Sequence, residues 1–363
     1  MRYEERLRRA KANADEAGLA GLLLPPSPDL VYLTGYDPPP LERLTLLIVR
    51  PADDPVLVVP ELERPRALDS PMGRRVEVVG WRDGEDPYEL VGRMVPAAAK
   101  LGVGDRMWAS HLLGLERFLD AGGLVATSAA VPLLRAVKDS DELGLLELAG
   151  RGADEAFEEA VGLGFLGTTE AEIGERLAAL LREHSHDEVT FTIVGSGPNG
   201  ASPHHEPTGR RIAPGDPVVL DFGGRVRRYC SDITRTIVVD RPTPEVREVH
   251  DVVREAQEAA YRAVRPGVPA EDVDRAARDI IEAAGFGEAF VHRTGHGIGL
   301  EEHEPPYIVR GNADPLQPGM CFSIEPGIYL EGRFGVRIED IVAVTDQGAI
   351  RFNEARRDLL EVV

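Results

Sequence analysis

Acidic side chains stand inside segments that otherwise read as buried strands, and this constrains the fold more than any other feature of the chain. Asp221 ends the apolar run Val218-Val219-Leu220, and Asp232 falls within the strand-like stretch 228–239. Strand interiors favour β-branched and aromatic residues, so an acid there is locally costly. A hairpin turning over residues 223–227 is centred on Val226-Arg227 and sets Asp221 roughly opposite Asp232. Glu325 and Glu339 repeat the pattern: residues 320–330 and 336–344 read as strands joined through Glu331-Gly332-Arg333, with the two acids facing each other about Gly332. Like charges opposed across a ladder destabilise it. One acid in one strand is ordinarily a solvated side chain, but the repetition at two hairpins calls for a cation. Four carboxylates can bridge and flank two divalent ions whose charge offsets the repulsion.

A nitrogen ligand is available in Thr294-Gly295-His296-Gly297-Ile298-Gly299, where alternating glycines let backbone approach closely. Residues two apart on a strand share a face, so Arg337 points with Glu339, and Cys230 and Thr234 point with Asp232. An arginine beside such a cluster can orient a carboxylate or a carbonyl. His204, His292 and His303 lie in Pro- or Gly-flanked loops near the expected ligands, positions suited to proton transfer. His184 and His186 follow a charged helix end and read as its exposed trim. Gly195-Ser196-Gly197-Pro198-Asn199-Gly200 fits a dinucleotide-loop pattern only formally, because Pro198 interrupts it and no helix follows. The chain has no P-loop, no H-E-x-x-H and no G-x-S-x-G, so ATP hydrolysis, single-zinc proteolysis and serine hydrolysis lack a foothold.

The 363 residues carry a formal net charge of −21, which makes nucleic acid a poor partner. The 2 cysteines are far apart in sequence, excluding a disulfide framework and favouring a reducing cytoplasm. No stretch has the apolar length of a membrane span or a signal-peptide core. The first third alternates helical and strand patterns: residues 3–17 are amphipathic, and 19–24, 44–49 and 55–59 read as strands, which predicts an α/β domain over 1–132. A linker over 133–140 leads to an α+β domain over 141–363. Asp139 or Ser140 caps a helix running to about Gly162, another capped helix covers 168–181, and Thr243-Pro244-Glu245 starts one that Pro266-Gly267 ends. Strands are expected at 217–222, 228–239, 320–330 and 336–344.

Taken together, Leu220-Asp221-Phe222-Gly223, Ser231-Asp232-Ile233-Thr234-Arg235-Thr236, Gly295-His296-Gly297-Ile298-Gly299-Leu300, Ile324-Glu325-Pro326-Gly327 and Gly335-Val336-Arg337-Ile338-Glu339-Asp340 resemble the M24 peptidases, in particular the proline-specific branch of Xaa-Pro dipeptidase (prolidase) and small aminopeptidases P. Tyr32-Leu33-Thr34-Gly35 and Ala136-Val137-Lys138 extend the resemblance over essentially the whole chain. It implies a C-terminal pita-bread catalytic domain preceded by a smaller, creatinase-like α/β domain. It also implies Asp221 on one metal, His296 and Glu325 on the other, Asp232 and Glu339 as bridges, and His204, His292, His303 and Arg337 at the substrate. Glu325 doubles as a proton shuttle. Oxygen-rich ligation with one imidazole suits two ions of Mn, Co or Zn. The expected activity is hydrolysis of Xaa-Pro bonds in short peptides by a cytoplasmic, homodimeric exopeptidase, prolidase-like. Aminopeptidase P action on longer peptides is the alternative, and a non-catalytic pita-bread binding module a distant one.

Overall fold

The computed structural model describes residues 2–96 and 98–363. The chain divides into two compact units, Met1–Arg135 and Ala136–Val363. In the first, a 6-stranded sheet runs in the order Glu77–Trp81, Val56–Pro60, Leu46–Val49, Gly21–Leu24, Leu101–Val103, Leu124–Ala126. The inner strands read as unbroken apolar runs, Gly21-Leu22-Leu23-Leu24 and Leu46-Leu47-Ile48-Val49, because they are buried throughout. Ser27 caps the Pro28–Thr34 helix, and Gly35 ends it in the left-handed conformation at φ 71°.

The second unit places helices outside two sheets. Asp139 and Glu142 form a capping box at the start of Ser140–Ala160, and Thr169 with Glu172 does the same for Glu170–Glu183. Such a box satisfies two orphan amides reciprocally. These helices pack on a sheet ordered Leu360–Val362, Ile233–Val239, Pro217–Val226, Glu188–Ser196, with Tyr229–Cys230 paired to Pro217–Val226. Strand parity divides that sheet: Val218, Leu220 and Phe222 join Phe157, Ile173 and Leu177 in the core beneath the helices, which leaves Asp221 on the other face. The helices Pro244–Ala263, capped by Thr243, and Ala270–Ala283 pack together beside the second sheet, ordered Glu304–Ile308, Gly295–Gly297, Cys321–Ile324, Asp340–Val344, Ala349–Arg351.

The second hairpin has the register expected of it. Cys321–Ile324 pairs with Asp340–Val344 and Gly327–Leu330 with Phe334–Arg337, so Glu325 and Glu339 stand across from each other in the gap between the two paired stretches. The first hairpin does not. Asp221 faces Thr234, and Arg225 faces Cys230, two residues away from the expected register. The reason is a turn of two residues, Arg227 and Arg228, both at positive φ (48° and 79°), where a longer turn centred on Val226-Arg227 was expected. Asp232 consequently lies just before Ile233–Val239, diagonal to Asp221 on the same face.

Candidate metal centre

The two hairpins meet where the Glu339 amide donates to the Thr234 carbonyl at 3.0 Å, and this contact brings the acids together. Asp232, His296 and Glu339 each present a ligand atom, all within 4.8 Å of one another. His296 Nε2 also lies 3.2 Å from Glu325 Oε1, while Arg337 Nη2 donates to Asp221 Oδ2. The glycines around His296 are required by contact: a Cβ on Gly295 would sit 1.8 Å from the Ser323 carbonyl oxygen, and one on Gly297 2.4 Å from that of Glu304. Ser323 Oγ accepts from the His296 amide at 3.0 Å and donates to Glu325 Oε1 at 3.0 Å, tying the His296 backbone and the Glu325 side chain to one strand.

Asp221 Oδ1, Asp232 Oδ1 and Glu339 Oε1 are buried oxygens with no hydrogen-bond partner among the described residues. Buried polar atoms are almost always paired, and three orphans from three carboxylates within one cluster fit a cation-binding site. Charge gives the same answer. Burial first, then Glu339, Asp221 and Glu325, push the Asp232 carboxyl well above its ordinary range; burial, Glu325 and Asp221 do the same to Glu339. Burial also raises Asp221, against the pull of Arg337. Glu325 is the exception: burial opposes its ionisation, but the hydrogen bond and charge of His296, with His292 and Arg337, hold it at about 2. One arginine cannot neutralise four carboxylates, whereas carboxylate oxygens with one imidazole are a donor set for divalent ions.

Around this cluster the hydrogen bonds of His292 and His303 fix their tautomers. His292 Nδ1 is 2.7 Å from the Arg293 carbonyl oxygen, so that nitrogen carries the proton, and Nε2, 2.9 Å from Tyr329 Oη, accepts. Tyr329 Oη in turn accepts from Arg337 Nη1 at 2.8 Å. Burial lowers the His292 pKa and raises that of Tyr329 to about 12. His303 lies against His296 with ring centroids 3.9 Å apart and the rings tilted by 42°, and its Nδ1 accepts from Arg293 Nη2 at 3.1 Å, which leaves its proton on Nε2. Burial first, then His296 and Arg293, bring His303 down to about 4. His204 is exposed on the neighbouring loop, whose Pro203 carbonyl oxygen accepts from Arg337 Nη1 at 3.3 Å.

Tyr329 did not emerge from the sequence, although it lies two strand pairs beyond Glu325 on the same face, so parity marks it. His205, held by Glu170 at 2.9 Å, also went unread beside His204. The expectation for His186 is corrected: it is buried, with Nε2 2.8 Å from Ser231 Oγ, and only His184 trims its helix, against Glu155 and Glu159. Cys230 and Cys321 are buried free thiols pushed up to about 12 by burial, which makes them poor nucleophiles. Gly195 and Ser196 end the strand Glu188–Ser196, and Gly197–Ala201, where no helix is expected, forms a short 3-10 helix in which Gly200 abuts Gly335, not a nucleotide cradle.

Comparisons with known proteins cover both units. Residues 144–346 match the model of metallopeptidase family M24, and residues 6–137 that of the Creatinase/Prolidase N-terminal domain. The chain is 39% identical to the Xaa-Pro dipeptidase of Lactobacillus helveticus over 90% of its own length and 91% of that protein's. It is 45% identical to dipeptidase PepE from Mycobacterium ulcerans in crystal form, with a TM-score of 0.96 over 99% of this chain and 98% of the other. A prolidase structure from Thermococcus sibiricus matches at 40% identity and a TM-score of 0.92, covering 100% of both chains.

Proposed function

This chain belongs to metallopeptidase family M24, with a creatinase/prolidase N-terminal domain, and on that footing we propose that it is a metal-dependent exopeptidase that hydrolyses Xaa-Pro dipeptides. The observation that carries the reading is the set of three orphaned carboxylate oxygens gathered with His296 at the junction of the two hairpins. The names of the relatives at 39–45% identity support a dipeptidase over an aminopeptidase P.

In this reading Asp221, Asp232, His296, Glu325 and Glu339 would hold two divalent ions of Mn, Co or Zn. Bound there, such ions would offset the carboxylate charge and would supply a water acidic enough to attack a carbonyl near neutral pH. Glu325, kept ionised, takes the proton of the attacking water and passes it to the imide nitrogen of proline, which leaves badly unless protonated. His303 offers its Nε2 proton to the developing oxyanion. His292 is occupied at both nitrogens, so it serves by position, with Tyr329 and Arg337 fixing the wall on which the substrate rests. His204 closes the exposed side. The acidic surroundings attract the α-ammonium of a short peptide, which favours removal of an N-terminal residue. None of the described helices is long and apolar enough to cross a membrane, and two buried free thiols suit the reducing cytoplasm.

The test is hydrolysis of Xaa-Pro against Xaa-Pro-Xaa′ by metal-replete protein. Release of proline from the dipeptide alone is the expected result; equal cleavage of the tripeptide assigns the aminopeptidase P alternative, and cleavage of neither ends the reading. In parallel, Asp232→Ala and Glu339→Ala should lose metal content and turnover together while the circular dichroism spectrum is retained. Full turnover in either variant after chelation and metal add-back is incompatible with two ions at this place.

A further inference from the structure

Asp274 and Arg278 lie one turn apart on Ala270–Ala283, outside the acid cluster, and neither carries a role in the chemistry above. Arg278 donates through Nε and Nη2 to the two oxygens of Asp274 at 3.0 and 2.9 Å. The same guanidinium donates to the carbonyl oxygens of Phe290 at 3.3 Å and His292 at 3.0 Å. It also stands 4.2 Å from the centroid of the Phe290 ring, which meets the His292 ring edge to face at 5.2 Å. Asp274 Oδ1 accepts from the Thr294 amide at 3.3 Å and its hydroxyl at 2.8 Å, and the Thr294 carbonyl accepts from the Glu325 amide at 2.8 Å.

Residues 290, 292 and 294 are thus pinned in alternation along a stretch that belongs to no strand. Buried backbone groups need partners wherever no ladder supplies them, and here one ion pair supplies three. Asp274 is 1% exposed, and a planar, five-donor guanidinium reaches a carboxylate and two carbonyls at once, which lysine cannot. A pair that served only the stability of its own helix would have no need to reach these carbonyls. We propose that Asp274 and Arg278 are positioning residues for the reaction: they fix the height of His292 against Tyr329 and thereby the wall that Arg337 completes. The claim rests on the Xaa-Pro hydrolase reading, and displacements near 1 Å can cost about 100-fold in rate.

A double-mutant cycle of Arg278→Gln with His292→Ala tests it on the metal-loaded protein, with kcat, KM and metal content measured for each form. Arg278→Gln should lower kcat about 10- to 100-fold with KM within about twofold and metal content unchanged. In the His292→Ala background the same substitution should cost less than about twofold, because the residue it acts through is gone. Arg278→Lys, which keeps the charge but not the planar fork, should recover part of kcat, and it replaces Arg278→Gln in the cycle should that variant not fold. In the metal-free protein, the nuclear magnetic resonance signal of the His292 Nδ1 proton should shift in either Arg278 variant. Equal losses in both backgrounds, loss of metal on Arg278→Gln, or an unshifted His292 proton would overturn the proposal. Wild-type protein that cleaves no Xaa-Pro peptide defeats the functional reading instead, so the two failures are distinguishable.

Discussion

Both oxygens of Glu170 are taken up by donors from the segment that carries His204. Oε1 accepts from the amide and hydroxyl of Ser196 at 2.8 and 2.6 Å; Oε2 accepts from Thr208 Oγ1 at 2.6 Å and lies 2.9 Å from His205 Nε2. Asn199 Nδ2 reaches both at 3.1 Å. Burial opposes ionisation of this carboxyl, yet the bonds from Ser196, Thr208 and His205 outweigh it and lower its pKa from 4.5 to about 2. Glu170→Gln sets a second donor against these donors and should cost roughly 2–3 kcal/mol at neutral pH, on the scale of bonds to a charged acceptor. The sign of the pH dependence follows from the depressed value: the carboxylate's contribution is complete above about 4.5 and disappears as pH falls through about 2. Urea midpoints of the two proteins should therefore converge between pH 4.5 and 2. A gap that stays constant over that interval removes the carboxylate from the account. Because His204 sits on this anchored loop, the same substitution should raise KM while leaving metal content intact.

At the scale of elements, what could be read from the sequence follows from which signals side chains carry. The helices starting at Ser140, Glu170 and Pro244 each have a side-chain cap, from Asp139, Thr169 and Thr243, and their starts are legible. Ala270–Ala283 follows Pro269, which has no capping side chain, and its periodicity alone did not mark it. The register of the second hairpin is legible because Gly332, at φ 70°, announces its turn. The first hairpin turns on Arg227 and Arg228, residues that rarely take positive φ, so the sequence points to the glycines upstream and the register shifts by two residues. Asp221 and Asp232 still share a face, since a shift of two residues preserves parity. A left-handed non-glycine residue costs about 1 kcal/mol or more, part of which glycine gives back in chain entropy. Arg228→Gly should thus raise the free energy of unfolding by about 0.5–1 kcal/mol, read as a higher urea midpoint at unchanged slope, without altering kcat/KM. A lower midpoint would show that this turn is not strained.

The whole molecule carries −21 formal charges, of which two divalent ions would offset only four. A cleft in so acidic a body concentrates cations and repels anions over distances set by the ionic atmosphere, about 30 Å at 0.01 M salt and about 8 Å at 0.15 M. A dipeptide is a zwitterion with no net charge, so the field acts on it mainly through the side chain of its first residue. Lys-Pro should therefore be captured faster than Ala-Pro, and Ala-Pro faster than Glu-Pro, with the order most pronounced at low salt. Raising sodium chloride from about 10 to 200 mM should lower kcat/KM for Lys-Pro several-fold, raise it for Glu-Pro, and leave Ala-Pro within about twofold. The turnover number kcat should stay flat for all three, because screening weakens long-range attraction far more than contacts inside a buried cluster. Parallel changes in the three substrates would mean that salt acts on the metal cluster or the fold, and a preference for Lys-Pro that survives high salt would place its origin in direct contact with the first residue's side chain.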